Sequence, residues 1–304
     1  MGVPAGGLPL SATTAAATRT IDRRVLPPHV RRRRFLFKVA DHALLIAVGA
    51  IFLIPLVFVL LTSLMTADQA LTPDMWPDHF QWSNYADVFQ RIPVVRYTAN
   101  TMFIACLSTV GVILSSIPVA YALSRLHWRG RQATFILVLA TIMLPYQVTI
   151  VPLYVLFARY GWIPGFKPLI VPLFFGDAFS IFLLRQFFLT IPEELSDAAR
   201  MEGASEWQIM TRVIVPLAKP AIAAVALFQF LYSWNDLFAP LLFLGGEDRM
   251  WTLAIGLSEF RGQHAIEYNL MLAAVVLFML PVIVLFFFAQ RVFMEGITVT
   301  GVKG

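Results

Sequence analysis

The side chains able to do chemistry fall into two groups. One is a charged island between apolar segments, Glu193 to Pro220 (EELSDAARMEGASEWQIMTRVIVPLAKP). The other is a scatter of polar residues inside the apolar segments: Gln147, Asp177, Arg185, Tyr232, Asn235 and Asp236. Neither has the spacing of a catalytic or metal centre. None of Lys38, Lys167, Lys219 and Lys303 stands in a G-x-x-x-x-G-K-[ST] phosphate loop, and His29, His42, His79, His127 and His264 lack HExxH or clustered spacing. The chain is therefore expected to be no enzyme and to hold no cofactor or metal of its own. A polar group inside an apolar run makes hydrogen bonds, either to a polar solute or to broken backbone. A charged, helix-forming island offers a surface to a partner.

Local chemistry predicts two short helices in the island. Thr190 and Glu193 have the S/T-x-x-E spacing of a capping box, with Pro192 in the first turn, so a helix starts there. Gly203 ends it in a left-handed turn, and Ser205 with Gln208 forms a second box for a helix running to Val215, stopped by Pro216. Leu195, Ala198, Ala199 and Glu202 share one face of the first helix, while Trp207, Met210, Val213 and Ile214 make an apolar stripe on the second. A plain amphipathic hairpin packed on its own protein fits these facts as well as a docking device does.

The polar residues in the apolar runs also carry two readings. Asp177 either lines a pathway or makes structural hydrogen bonds, and Arg185 is structural or snorkels to an interface. Asn235 and Asp236 beside Tyr232 and Trp234 combine hydrogen-bonding groups with aromatic faces, as sugar sites do, yet could equally satisfy backbone broken near Pro240. Gln147 beside Pro145 is similar. Cys106, the single cysteine, cannot form an internal disulfide and is expected to be a small apolar packing residue.

The elements that position these residues are membrane spans. A chain that is 59% hydrophobic and 13% charged, with repeated apolar runs of about 20 residues, has what is needed to cross roughly 30 Å of hydrocarbon again and again. Six spans are expected, at about 43–64, 97–123, 133–158, 168–190, 220–244 and 268–290, with the third kinked at Pro145 and Pro152. The polar stretch 65–96, with Trp76, Trp82 and Tyr85, is either an interfacial segment or an unstructured loop. Residues 1–38 read as a disordered, basic tail and 39–304 as one transmembrane domain. Sixteen Lys or Arg lie in the two end segments and the 124–132 and 191–219 loops, against six in the alternate loops. Both termini and the 191–219 loop are accordingly expected on the cytoplasmic side of a bacterial-type plasma membrane. Arg31 to Arg34 abut the first span and read as a topology determinant and lipid anchor rather than a nucleic-acid site.

The island also resembles a known family, the membrane-spanning permease subunits of ATP-binding cassette importers. Their signature is E-A-A, three residues, G, nine residues, then I-x-L-P. Here Asp197, Ala198 and Ala199 are followed by Gly203, Val213, Val215 and Pro216 at that spacing, with Asp for Glu and Val for both Ile and Leu. Segments 144–154 (LPYQVTIVPLY), 234–243 (WNDLFAPLLF) and 290–304 (QRVFMEGITVTGVKG) look like the carbohydrate branch, in particular its maltose-type second permease subunit.

The resemblance implies an all-α fold with a cytoplasmic coupling-helix pair between spans four and five. Glu194, Asp197, Ala198, Ala199, Glu202, Gly203, Ala204 and Pro216 would engage an ATPase dimer that binds ATP and magnesium itself. Trp207, Met210 and Val213 would hold the pair against the permease's own spans. A second permease subunit and an extracytoplasmic solute-binding protein complete the assembly, and Gln147, Asp177, Tyr232, Asn235 and Asp236 are candidates for the translocation path of a sugar, oligosaccharide or polyol. Gly203→Asp is expected to uncouple transport through a clash at the helix junction and the docking face. A self-sufficient secondary transporter or channel, or an importer of another small polar solute, is the alternative.

Overall fold

Runs of Leu, Ile, Val, Ala and Phe become helices, and among the described residues no strand forms. The computed structural model describes residues 28–260 and 267–300, with side chains described for 37–260 and 267–290. Residues 1–27 of the expected tail, Arg261 and His264 of the fifth connection, and residues 301–304 lie outside the described residues. By contacts the chain divides into two units, Met1–Ile54 and Pro55–Gly304.

In chain order the helices are α1 (Pro28–Thr62), α2 (Ser83–Arg91), α3 (Val94–Ser124), α4 (Arg131–Ile142), α5 (Tyr146–Arg159), α6 (Lys167–Ile170), α7 (Ala178–Thr190) and α8 (Glu194–Met201). They continue as α9 (Glu206–Leu217, its middle turn Met210–Ile214 a π-helix), α10 (Lys219–Asn235), α11 (Phe238–Phe243), α12 (Leu253–Ser258) and α13 (Tyr268–Thr300). Four segments are long and apolar enough to cross a membrane as they stand: 37–62, 94–124, 167–190 and 268–290. Two more qualify as bent pairs, α4 with α5 at 92° and α9 with α10 at 78°. By length and composition the described residues offer four to six candidate spans, and in the first unit Leu44, Ile46 and Phe52 are exposed, as on a lipid-facing helix.

Several expectations are corrected. The third span is broken as foreseen, with Pro145 capping α5, but Pro152 sits within α5 without ending it. The fourth is not one helix: α6 passes into a 3-10 turn, Val171–Phe175, and Gly176 at φ +110° breaks the path before α7. The 65–96 stretch is ordered by Asn84, which is 5% exposed and donates to the Ser63 and Met65 carbonyls at 2.9 Å. Val88 is buried on the same face of α2, four residues on, so a short amphipathic helix forms within this stretch, against the unstructured-loop reading of the two left open. Cys106 is exposed on α3 rather than packed.

α3 is the central rod. It packs against α7, α10 and the 3-10 turn, and one of its faces is built for close approach. Ser108 Oγ donates to the Leu169 carbonyl (3.2 Å), and Ser115 Oγ lies within hydrogen-bond distance of both the Leu173 carbonyl (3.0 Å) and the Gly111 carbonyl of its own helix (2.8 Å), so hydroxyls of α3 meet the backbone of the broken helix. Gly111 lies between them, and a Cβ there would stand 2.6 Å from the Phe174 ring.

Candidate functional site

Two regions concentrate the polar chemistry. The first is the hairpin α8–Gly203–α9. Gly203 adopts φ +86°, its N–H bonds the Arg200 carbonyl (2.9 Å), and the Ala204 N–H bonds the Ala199 carbonyl (3.0 Å). This is a Schellman closure, as the sequence predicts. No atom lies within 4 Å of a Cβ added at Gly203, so the expected clash of Gly203→Asp at the helix junction has no counterpart; the constraint is the positive φ itself. Ser205 and Gln208 form the expected reciprocal capping box on α9.

The other box does not form. Thr190 is still the last residue of α7, so its hydroxyl bonds back to the Phe187 carbonyl (2.7 Å), and Glu193 makes no side-chain cap. Nor does Pro216 stop the second helix. It lies within the closing turn of α9, directly after the π turn, and the bend comes at Ala218. Proline has no N–H to offer residue 212, and the widened turn just before it lies where the regular ladder would need that donor.

Burial sorts the hairpin into two faces. Ile209, Met210 and Ile214 are buried in a core shared with Val112, Leu184 and Phe188, and Val213, Ala199 and Ala204 pack against it from the edge. Trp207 does not hold the pair inward as expected, being 67% exposed. Asp197, Ala198, Glu202 and Pro216 are exposed, together with Leu195, and Met201 at 89% is the most open large apolar residue here.

Polar contacts that the sequence reading missed tie this hairpin down. Arg200 donates from Nε to Glu206 Oε1 (2.8 Å) and from Nη1 to Asp197 Oδ1 (2.7 Å), bridging α8 to α9. The buried Tyr121 hydroxyl, at the end of α3, donates to the other Glu206 oxygen at 2.5 Å. The Arg200 hydrogen bond, helped by Tyr121 and opposed by burial, holds the Glu206 carboxyl below the usual carboxylate range. Nearby, Arg125 is buried and donates to the Phe188 and Ile191 carbonyls at the end of α7. Burial lowers its guanidinium's pKa, although an arginine keeps its charge. Arg185 returns the contact, giving Nε to the Leu123 carbonyl (3.0 Å) and lying 3.8 Å above the Phe135 ring. It is a buried strap rather than a snorkelling side chain, and the two arginines cap each other's helices.

The second region is a cavity of about 740 Å³ bounded by the breaks in the spans. Asp177, Tyr232 and Asp236 line it, and so do Tyr146, Gln229, Ser180 and Ser233, which the sequence reading did not single out. Phe157, Phe179, Phe228 and Phe243 supply apolar walls. Both carboxylates also serve the backbone. Asp177 accepts the Ser180 N–H at 2.7 Å as the cap of α7, and Asp236 accepts the N–H groups of Phe238 (3.0 Å) and Ala239 (3.3 Å) where α11 begins. Gln147 is exposed and does not line the cavity; Asn235 is exposed too and bonds back to the Leu231 carbonyl (2.8 Å). Of the five candidates for the translocation path, three therefore meet at one cavity and two stand outside it. Among the described residues no group of three His, Cys, Asp or Glu is placed to hold a metal.

Known proteins resemble this chain over most of its length. Residues 110–299 match the family described as "binding-protein-dependent transport system inner membrane component". The arabinooligosaccharides transport system permease protein AraQ of Bacillus subtilis is 32% identical over 274 residues, covering 88% of this chain and 97% of that one. The osmoprotective compounds uptake permease protein GgtD of Synechocystis is 32% identical over 282 residues, 90% and 95% of the two chains. Among solved structures, a bacterial ABC transporter involved in import of the acidic polysaccharide alginate superposes with a TM-score of 0.70 at 24% identity. The match covers 86% of this chain and 97% of that one, a likeness of fold.

Proposed function

Since this chain belongs to the family of binding-protein-dependent transport system inner membrane components, we propose that it forms half of the solute path of an ATP-driven importer and carries its coupling surface on α8 and α9. It is a multi-pass inner-membrane protein and a permease subunit. In this reading both termini and the hairpin lie in the cytoplasm, where basic residues predominate. Residues 1–38 carry the basic charge ahead of the transmembrane domain 39–304, their last eleven already part of α1, and the exposed apolar side chains of the spans meet lipid. A second permease subunit completes the cavity, an ATPase dimer holds ATP and magnesium, and a solute-binding protein delivers cargo from outside.

The observation that carries the coupling role is the capped hairpin itself. It is closed at Gly203 by two backbone hydrogen bonds, anchored on one face by Ile209, Met210 and Ile214, and open on the other. Leu195, Ala198 and Met201 follow one another at three-residue spacing along α8, with Glu202 four residues after Ala198 at its C-cap, an amphipathic ridge of the kind a groove accepts, and Trp207 extends it. Glu194, Asp197 and Glu202 make that ridge acidic, so the groove that receives it is basic. When the ATPase dimer closes on ATP, the hairpin moves with it, and the spans tilt to open the cavity alternately to either side. Ala199 and Ala204 act from beneath by letting the hairpin backbone approach the core.

Tyr146 and Tyr232 bring ring faces, and Asp177, Gln229, Ser233 and Asp236 bring hydrogen-bonding groups, to one apolar-walled cavity. That combination suits a hydroxyl-rich, uncharged solute such as a sugar, oligosaccharide or polyol. It agrees with the arabinooligosaccharides and osmoprotective compounds in the relatives' names. Co-reconstitution with the second permease and ATPase, fed by the binding protein and a labelled neutral oligosaccharide, is expected to give uptake that requires ATP hydrolysis. Tyr232→Ala should depress that uptake without loss of assembly, since Tyr232 is 60% exposed and supports little of the core. Gradient-driven uptake by this chain alone would overturn the importer reading.

A further inference from the structure

The contacts around Glu206 form a continuous path from the hairpin to the cavity. Glu206 opens α9, receives Arg200 from α8 on one oxygen and Tyr121 from α3 on the other, and joins three elements through one carboxylate. Tyr121 is 3% exposed, so its ring is fixed in the core while its hydroxyl reaches out to the hairpin. From Tyr121 the rod α3 runs back about 20 Å at the helical rise to Ser108. Along that length Ser115, Gly111 and Ser108 engage Leu173, Phe174 and Leu169, and both leucines line the cavity. Any displacement delivered to Tyr121 therefore arrives at the broken fourth span.

Apolar packing of Ile209, Met210 and Ile214 also joins α9 to this core, but it is non-directional and permits sliding. A charge-assisted hydrogen bond fixes direction and register.

We propose that Glu206 is a positioning residue, the pin of a latch that makes α8, α9 and α3 move as one body, so that hairpin motion is delivered to the cavity wall. This rests on the coupling reading above and adds to it the residue that transmits the movement.

The test uses the assembled transporter with partner subunits free of cysteine. One nitroxide is placed on the native Cys106, midway along α3, and one on Glu202→Cys, which is exposed on the hairpin. The inter-label distance is measured without nucleotide and with ATP and vanadate. With the latch intact the distance is expected to stay constant between the two states. In Tyr121→Phe and in Glu206→Gln it should shift by about 2 Å or more, the scale of helix shifts in switching proteins, because the hairpin then moves without α3. The double variant should shift no further than either single, since both break one link. Tyr121→Phe removes a single oxygen, so it decides the matter should Glu206→Gln fail to assemble.

A distance that changes as much in the parent as in the variants, or in none of them, overturns the latch. Cross-linking of Glu202→Cys to the ATPase separates the two ideas. A cross-link with an unchanged variant distance removes the latch alone, and no cross-link in the parent removes the coupling reading together with it.

Discussion

Replacing Gly203 separates conformational cost from steric cost, because the structure makes one of them vanish. An added Cβ meets nothing within 4 Å beyond its chain neighbours, so no clash with the rest of the chain adds to the cost. What remains is φ +86°, a left-handed conformation that costs an ordinary L-residue about 1–2 kcal/mol. That corresponds to a factor of about 5–30 in a local opening equilibrium. The amides that report it are those of Gly203 and Ala204, which close the helix onto Arg200 and Ala199. Hydrogen exchange of the 193–218 segment in the purified chain should therefore accelerate by about that factor in Gly203→Ala. Gly203→Asn should accelerate it less, since asparagine is comparatively tolerant of this region, and Gly203→Val more, since β-branching is not. Side-chain size would instead rank asparagine beside valine. Exchange at the parent rate in Gly203→Ala, or faster exchange in Gly203→Asn than in Gly203→Ala, would refute the argument. Gly203→Asp belongs with asparagine here, so it should loosen the hairpin less than Gly203→Ala does, and any uncoupling beyond that of Gly203→Ala arises at the docking face.

Three further outcomes follow from particular contacts. The Glu206 carboxyl titrates below its unfolded value, so its contribution to hairpin stability is complete above the unfolded value of about 4.3 and is lost as pH falls through the depressed folded value. Exchange protection of α8 and α9 should be flat through neutral pH and drop only in acid, and Glu206→Gln should remove the acid step. Arg125→Met leaves the buried Ile191 carbonyl without its side-chain donor and the Phe188 carbonyl with only the Ile191 N–H, and a lost buried partner of this kind costs about 1–3 kcal/mol. Its melting temperature in detergent should fall, and Arg125→Lys should recover only part of the loss, because a single ammonium does not reproduce the guanidinium fork. Gly111→Ala drives a Cβ into the Phe174 ring and should destabilise by about 1–3 kcal/mol, measured as a lowered melting temperature. In Gly111→Ala/Phe174→Ala the two effects should be strongly non-additive, because the second change removes the obstacle.

What the sequence by itself determined is what near neighbours decide. Apolar runs of membrane-crossing length set the helices, Pro145 marked one break, and Ser205 with Gln208 and Gly203 set a helix start and stop, since each of these acts over three to six residues. The Thr190 box and the Pro216 stop failed at that same range because the neighbouring helices run on: α7 keeps Thr190 inside its last turn, and α9 carries Pro216 past its π turn. Tertiary structure alone decided the rest. Glu206 looks like an ordinary first-turn acid until Tyr121, 85 residues earlier, is placed beside it. Arg125 reads as a topology charge until α7 brings the Phe188 and Ile191 carbonyls to it. Asp177 and Asp236 are separate polar residues in separate spans until two helix breaks bring them to one cavity, while Gln147 and Asn235, equally polar, are left outside. The physical reason is the same in each case. Whether a polar group inside an apolar run serves backbone, partner or solute depends on which helix lies against it, and packing between distant segments fixes that, not the spacing along the chain.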